Sequence, residues 1–371
     1  KSHIQLKLPW SNFASGDVIV CMAMGPSTEQ AYGLALCLLF LQSCRHYVAY
    51  APDAQAPATA IRKSLFCLNT HFLCGVCLMS RCWLVTFTYA TPVMIYFWFP
   101  LLTVLALFES MCMQWLTDMY EWRALCFRQP KVWLINGISV SAMEAVLAYL
   151  FWGMIEQTMR EENPQSNMMM VSNLSNFPLL LAMITASFWK AFIWEAFFDL
   201  AHYCRHRGAH TPSLRWLFHR NHDVHHMTGK TEALVAYENF SVHWSDLVVG
   251  TAFDYMSGFV VLRLFIQVLN AATGLDEAVT LFHVCLFYTY ARQVELLGHC
   301  GDTYWTPPNI FRLIPWSLGC ELQIEDHEYH HIILRGNYSK RLKLWDAVFG
   351  TYYPAKKVAR HWQPKAAKGG S

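Results

Sequence analysis

Between Asp199 and His226 the chain carries seven of its seventeen histidines, in the run DLAHYCRHRGAHTPSLRWLFHRNHDVHH, directly after an apolar stretch that reads as membrane-embedded. One histidine in such a place is easily satisfied within a core. Seven in 28 positions, with carboxylates beside them, are costly to bury unless something binds them. Metal is the economical occupant, so the fold has to gather these rings at the end of an apolar helix.

Composition supports a membrane setting. Apolar residues make up 54% of the 371 and charged residues only 15%, against about a quarter charged in an ordinary soluble domain. Mean hydropathy is +0.22. The net charge of +2 and the lack of a basic patch interleaved with aromatics exclude a nucleic-acid partner. The thirteen cysteines are scattered through apolar segments, and the CxxC of Cys74 and Cys77 has no second pair. They read as reduced, buried small residues rather than a disulfide framework or a zinc site.

Along the chain, residues 1–125 form an N-terminal membrane region, 126–176 a span and polar loop, 177–355 the histidine-bearing region and 356–371 a basic tail. The N-terminus lacks the ordered features of a removed signal peptide. Gln30 to Cys44 is a short apolar run, and 51–60 (APDAQAPATA) reads as a linker. Leu65 to Leu116 fits two crossings with a break near Arg81, since one helix needs about 20 residues. Val132 to Ile155 and Phe177 to Leu200 read as further spans, and Glu156 to Asn167 as a loop. Leu247 to Leu269 and Leu275 to Leu297 read as a helical hairpin around a tight NAATG turn. The Lys/Arg-rich end places the C-terminus and the histidines in the cytosol by the positive-inside rule. The expected fold is all-α, a polytopic membrane helical bundle whose cytosolic histidine-rich cap holds a dimetal site.

Four histidine groups carry the chemistry. His202, His206 and His210 recur every four residues and share one side of a helix. HRNHDVHH supplies His219, His222, His225 and His226; GHCGD supplies His299; DHEYHH supplies His327, His330 and His331. Spacings of three and four put ligands on one helix face. A structural zinc ion needs four ligands, so eight or nine histidines imply two metals, and imidazoles with carboxylates nearby suit oxygen-activating iron. His3, His46, His71, His243, His283 and His361 stand alone and read as structural or solvated.

The motifs resemble the fatty acid hydroxylase superfamily of membrane di-iron enzymes, most closely its sterol desaturase and methylsterol monooxygenase branch. The resemblance rests on HYCRHRGAH after Asp199, on GHCGD, on RLIPWSLG, and on DHEYHHIILRGNYSKRLKLWDAVFGT, across Phe177 to Tyr353. It implies the ligands His206, His210, His222, His225, His226, His299, His327, His330 and His331. His202 and His219 are additional ligands or neighbours of ligands. Asp199, Asp223, Glu325 and Asp326 are candidates to accept the second N–H of ligating rings.

The resemblance further implies two non-haem irons, dioxygen as co-substrate and an external electron donor, a cytochrome b-type protein or a reductase. No flavin, haem or dinucleotide fingerprint is visible in the chain itself. A lipid, sterol-like by preference, would be hydroxylated, oxidatively demethylated or desaturated at the endoplasmic reticulum membrane. A fatty-acyl, alkylglycerol or aldehyde-processing member of the superfamily is the alternative enzyme. A membrane metal transporter, or a non-catalytic lipid-binding relative, is the alternative of another class.

Overall fold

The computed structural model describes residues 57–90, 95–121, 138, 177–214, 222, 225–226, 244–300 and 310–354. The apolar runs expected at 30–44 and, but for Ile138, at 132–155, the loop expected at 156–167 and the basic tail lie outside them. So do His219 and Asp223. The described residues hold helices and no strand; one isolated antiparallel bridge joins Glu321 to Leu342.

Helices α1 (Pro57–Ala90) and α2 (Ile95–Glu121) form an N-terminal pair. Helix α3 (Phe177–Ala186) leads through Ser187 into α4 (Phe188–His210), and α5 (Trp244–Thr273) and α6 (Leu281–Gly298) complete the long helices. After a 3-10 turn at Ile310–Arg312 come the short α7 (Leu313–Ser317), α8 (Ile324–Ile333) and α9 (Lys343–Val348).

The core lies between α4, α5 and α6. Trp194 is fully buried and meets Phe198, Tyr255, Phe259 and Phe287 with ring centroids 5.1–5.7 Å apart. Glycine is required opposite it, because a Cβ on Gly258 would stand 2.8 Å from the Trp194 ring and backbone oxygen. A second cluster joins Phe66, Leu73 and Cys77 of α1 and Met113 and Leu116 of α2 to Leu296, Leu297, Cys300 and Ile324. The N-terminal pair is thereby packed against the end of α6 where the site forms.

The outer faces are apolar. On α2, Phe97, Leu101, Val104, Phe108, Met111 and Trp115 are exposed in alternating steps of four and three, one continuous stripe. Val260, Leu264 and Val268 make a similar stripe on α5. Pro100–Asp118 and Phe253–Thr273 are long and apolar enough to cross a membrane, and apolar stripes of this extent call for lipid or a partner rather than water. These features suggest membrane association.

Several sequence expectations are corrected. Helix α1 begins at Pro57, inside the expected linker, because proline's missing N–H costs nothing in a first helical turn. It then runs through Arg81 without a break. The Arg81 guanidinium is buried but satisfied, bound to the Glu109 carboxylate on α2 and donating to Thr289 Oγ1 on α6 at 3.0 Å. The run expected from Phe177 to Leu200 is two helices meeting at Ser187, the second continuing to His210. At NAATG the first four residues end α5, and Gly274 at φ 72° turns the chain. Asn270 then clasps Glu277, donating to its carbonyl at 2.8 Å and accepting its N–H at 3.0 Å. Helix α6 therefore starts only at Leu281, capped by Thr280 and His283.

Candidate metal centre

The site sits where α4, α6 and α8 end. Helix α4 carries His206 and His210 one turn apart and stops at Thr211, before Pro212. His299 is the C-cap of α6, and α8 carries His327, His330 and His331. The segment between α4 and α5 adds His222, His225 and His226.

These nine rings divide into two groups. His206, His210, His222, His226 and His330 form one, and His225, His299, His327 and His331 the other, each with its ligand nitrogens within 4.8 Å of one another. In the first, His226 Nε2 lies 2.9 Å from His222 Nε2, 3.1 Å from His210 Nε2 and 3.2 Å from His330 Nε2. In the second, His299 Nε2 is 3.4 Å from both His225 Nε2 and His327 Nε2, and His327 Nε2 is 3.3 Å from His331 Nε2. Ligands about 2.1 Å from one ion stand about 3.0–3.4 Å from each other, so these spacings suit a shared metal.

Protonation does not explain the arrangement. Burial, reinforced by the neighbouring rings, holds His206, His225, His226, His327, His330 and His331 well below the usual imidazole range. Burial and the nearby Lys340 charge bring His299 down to about 4. These seven rings are therefore neutral at pH 7, and each neutral ring has one N–H and one bare lone pair.

Three rings have a clear tautomer. Nδ1 of His206 donates to the Tyr338 carbonyl at 2.7 Å, that of His330 to the Gly336 carbonyl at 2.7 Å, and that of His299 to the Glu295 carbonyl at 2.8 Å. Each leaves its Nε2 lone pair turned inward. His206 Nε2 is buried with no hydrogen-bond partner, an arrangement that costs free energy without a cation to accept it. The donor set fits metal in both groups, and all-imidazole donors suit iron, zinc or copper.

A charged layer beneath the rings fixes the chain that carries them. Arg312 donates to Glu195 at 2.7 Å, to Glu321 at 3.2 Å and to the Arg341 carbonyl at 2.7 Å. Arg341 in turn donates to Glu295 at 2.9 Å, and Lys340 pairs with the same carboxylate. A cavity of about 20 Å³, little more than a water molecule occupies, opens beside this layer, lined by Lys340, Arg341 and Arg312 and reaching His299 and His327.

Of the remaining candidates, His202, Asp199 and Asp326 have other partners. His202 lies outside both groups: its Nδ1 is 3.0 Å from Asp254 and 3.1 Å from Arg205, and burial lowers it to about 4. Asp199 is not placed to orient a ligand ring, because its two oxygens accept the backbone N–H groups of Lys340, Arg341 and Leu342 at 2.9–3.0 Å. Asp326 accepts from the Gln323 N–H at 3.2 Å and the Tyr352 hydroxyl at 3.3 Å, capping α8. Glu325 is on α8 as well. Ring orientation falls to backbone carbonyls in His206, His330 and His299, where the sequence suggested carboxylates. Sequence reasoning also missed Asp254, Glu295, Arg312 and Arg341; ionisable residues within or beside apolar runs were the available signal.

Residues 188–351 match the family model described as fatty acid hydroxylase. A curated protein of Lecanicillium sp., fatty acid hydroxylase vlmA, is 30% identical over 163 residues, which are 43% of this chain and 40% of that protein. The chain thus spans less than half the length of this relative. No solved structure gives a significant match. The segment from α4 to the end of α9, with all nine converging histidines in it, is therefore similar to the fatty acid hydroxylase family.

Proposed function

We propose that the chain is an iron-dependent, dioxygen-using membrane oxidoreductase that oxidises an unactivated C–H bond of a lipid, and that its nine histidines hold two metal ions. The observation that carries this reading is the convergence of nine imidazoles, eight of them buried, into two groups with ligand spacing. His206, His210, His222, His226 and His330 would hold one ion, and His225, His299, His327 and His331 the other. When bound, the iron pair would supply the oxidising power that carbon–hydrogen cleavage needs.

The protein's own part is to orient and to exclude. The carbonyls of Tyr338, Gly336 and Glu295 set three tautomers. Burial of His299, His330 and His331 at 0% exposure keeps bulk water from the rings. Gathering at one end of the helices favours this reading over a transporter, in which ligands would be strung along a path. Electrons would come from a separate cytochrome b-type protein or reductase. We place the histidines on the cytosolic side of the endoplasmic reticulum membrane.

The motif resemblance favours a sterol-like substrate, whereas the name of the Lecanicillium relative, a fatty acid hydroxylase, favours a fatty-acyl one. Incubating the iron-loaded, reduced protein with sterol and fatty-acyl panels under isotopically labelled dioxygen separates them. The expected result is label in a hydroxylated product, or a new double bond formed only when dioxygen is present. No oxidised product from either panel would overturn the proposal.

A further inference from the structure

The two histidine groups are braced by different backbone. In the five-histidine group, His206 and His330 both give their Nδ1 hydrogen to one short strap, to the carbonyls of Tyr338 and Gly336 at 2.7 Å. In the four-histidine group, His299 uses the carbonyl of Glu295 on its own helix α6. The Tyr338 ring also lies against His206, His210 and His330, at centroid distances of 5.6–5.7 Å, and these three belong to the first group.

The strap has an unusual shape and is held from outside the site. Gly336 and Asn337 take φ values of 79° and 51°, and a Cβ on Gly336 would stand 2.1 Å from the Tyr353 ring. Asn337, fully buried, donates to the carbonyls of Asp326 at 3.0 Å and Tyr353 at 2.7 Å, and its Oδ1 accepts the Tyr353 N–H at 2.7 Å. Asp346, at the other flank, accepts the N–H groups of Tyr338 at 2.9 Å and Ser339 at 2.8 Å and the Thr351 hydroxyl at 2.7 Å.

We infer that Asn337 and Asp346 are positioning residues that act through the 336–338 strap on one metal position only, the five-histidine one. The inference rests on the two-metal reading proposed above. Neither side chain reaches a histidine nitrogen; each sets where the two carbonyls stand, and these aim the lone pairs of His206 and His330 inward. The four-histidine position takes His299 from α6 and His327 and His331 from α8. His299 gives its Nδ1 hydrogen to the Glu295 carbonyl, and neither His327 Nδ1 nor His331 Nδ1 bonds to the strap, so the two ions differ in what orients their ligands.

The test is metal content and chelator release on the full chain, comparing wild type with Asn337→Gly. Glycine keeps the left-handed backbone and deletes the three side-chain hydrogen bonds. Wild type should release both ions slowly. The variant should lose one ion per chain about 10–100-fold more readily while retaining the other. Far-UV dichroism and elution volume report whether it has folded. Should Asn337→Gly not fold, Thr351→Val, which removes one bond from Asp346 and one from the Tyr203 hydroxyl, decides the matter by a few-fold faster release of one equivalent, with Tyr203→Phe as the control that removes the second bond and keeps the first. Release unchanged from wild type, or both ions lost in equal proportion, would overturn the inference and leave the two-metal reading intact. One ion per chain or fewer in wild type would overturn that reading itself.

Discussion

Two sets of polar side chains are buried in this molecule, the Arg81–Glu109–Thr289 cluster among α1, α2 and α6 and the nine histidines at the ends of α4, α6 and α8, and they are satisfied in opposite ways. Arg81 donates to a carboxylate and a hydroxyl that accept, so the charge is neutralised where it lies. In the histidine groups, nitrogens face nitrogens at 2.9–3.4 Å, and His206 Nε2 has no partner. A closed polar network holds helices together. One left open, with its lone pairs converging, is a ligand set.

The largest effect that separates the two falls on the closed network. Arg81→Met leaves Glu109 buried without its counter-charge and should cost about 3–5 kcal/mol, read as a drop in the thermal midpoint in detergent. Metal per folded chain should stay at the wild-type value. If that variant lost metal in step with stability, the two clusters would be one unit and the contrast would fail.

Acid should act on the histidine end. His299 and His202 have folded pKa values lowered to about 4 from 6.5, so the unfolded chain binds protons first as pH falls. Their contribution is complete above pH 6.5 and is lost progressively down to about pH 4, on the order of 3 kcal/mol each over the whole window. Competition between protons and metal sharpens the loss. A pH series of the unfolding midpoint on metal-free protein should show stability falling between pH 6.5 and about 4; a midpoint unchanged across that window would contradict buried, neutral rings.

The smallest effect is expected at His202. Because its ring is bound to Asp254 and lies outside both groups, His202→Gln should leave metal content unchanged and cost about 1 kcal/mol of stability. Loss of a full metal equivalent would make it a ligand.

What was legible in the sequence and what was not follows from the range of each signal. The candidate ligands could be read because a helix repeats every three to four residues: His206 and His210, or His327 and His331, announce their shared face within one turn. Arg81 read as a helix break because the residue that neutralises it is 28 positions away on another helix. The carbonyls of Gly336, Tyr338 and Glu295 had no signature at all, since every residue carries one and only the fold decides where it points. Asp199 was singled out as a residue that matters beside the histidines, yet its partners are the backbone amides of 340–342. It acts by holding in place the chain that follows the strap.

The most direct test of the central claim is the metal content of the detergent-purified chain beside that of His225→Ala/His226→Ala, which takes one ring from each group. About two ions per chain in wild type, iron when purified without exchange, falling to less than about one in the variant, is the result expected for ligands of this kind. Wild-type protein without bound metal, or a double variant that keeps both ions, would contradict it.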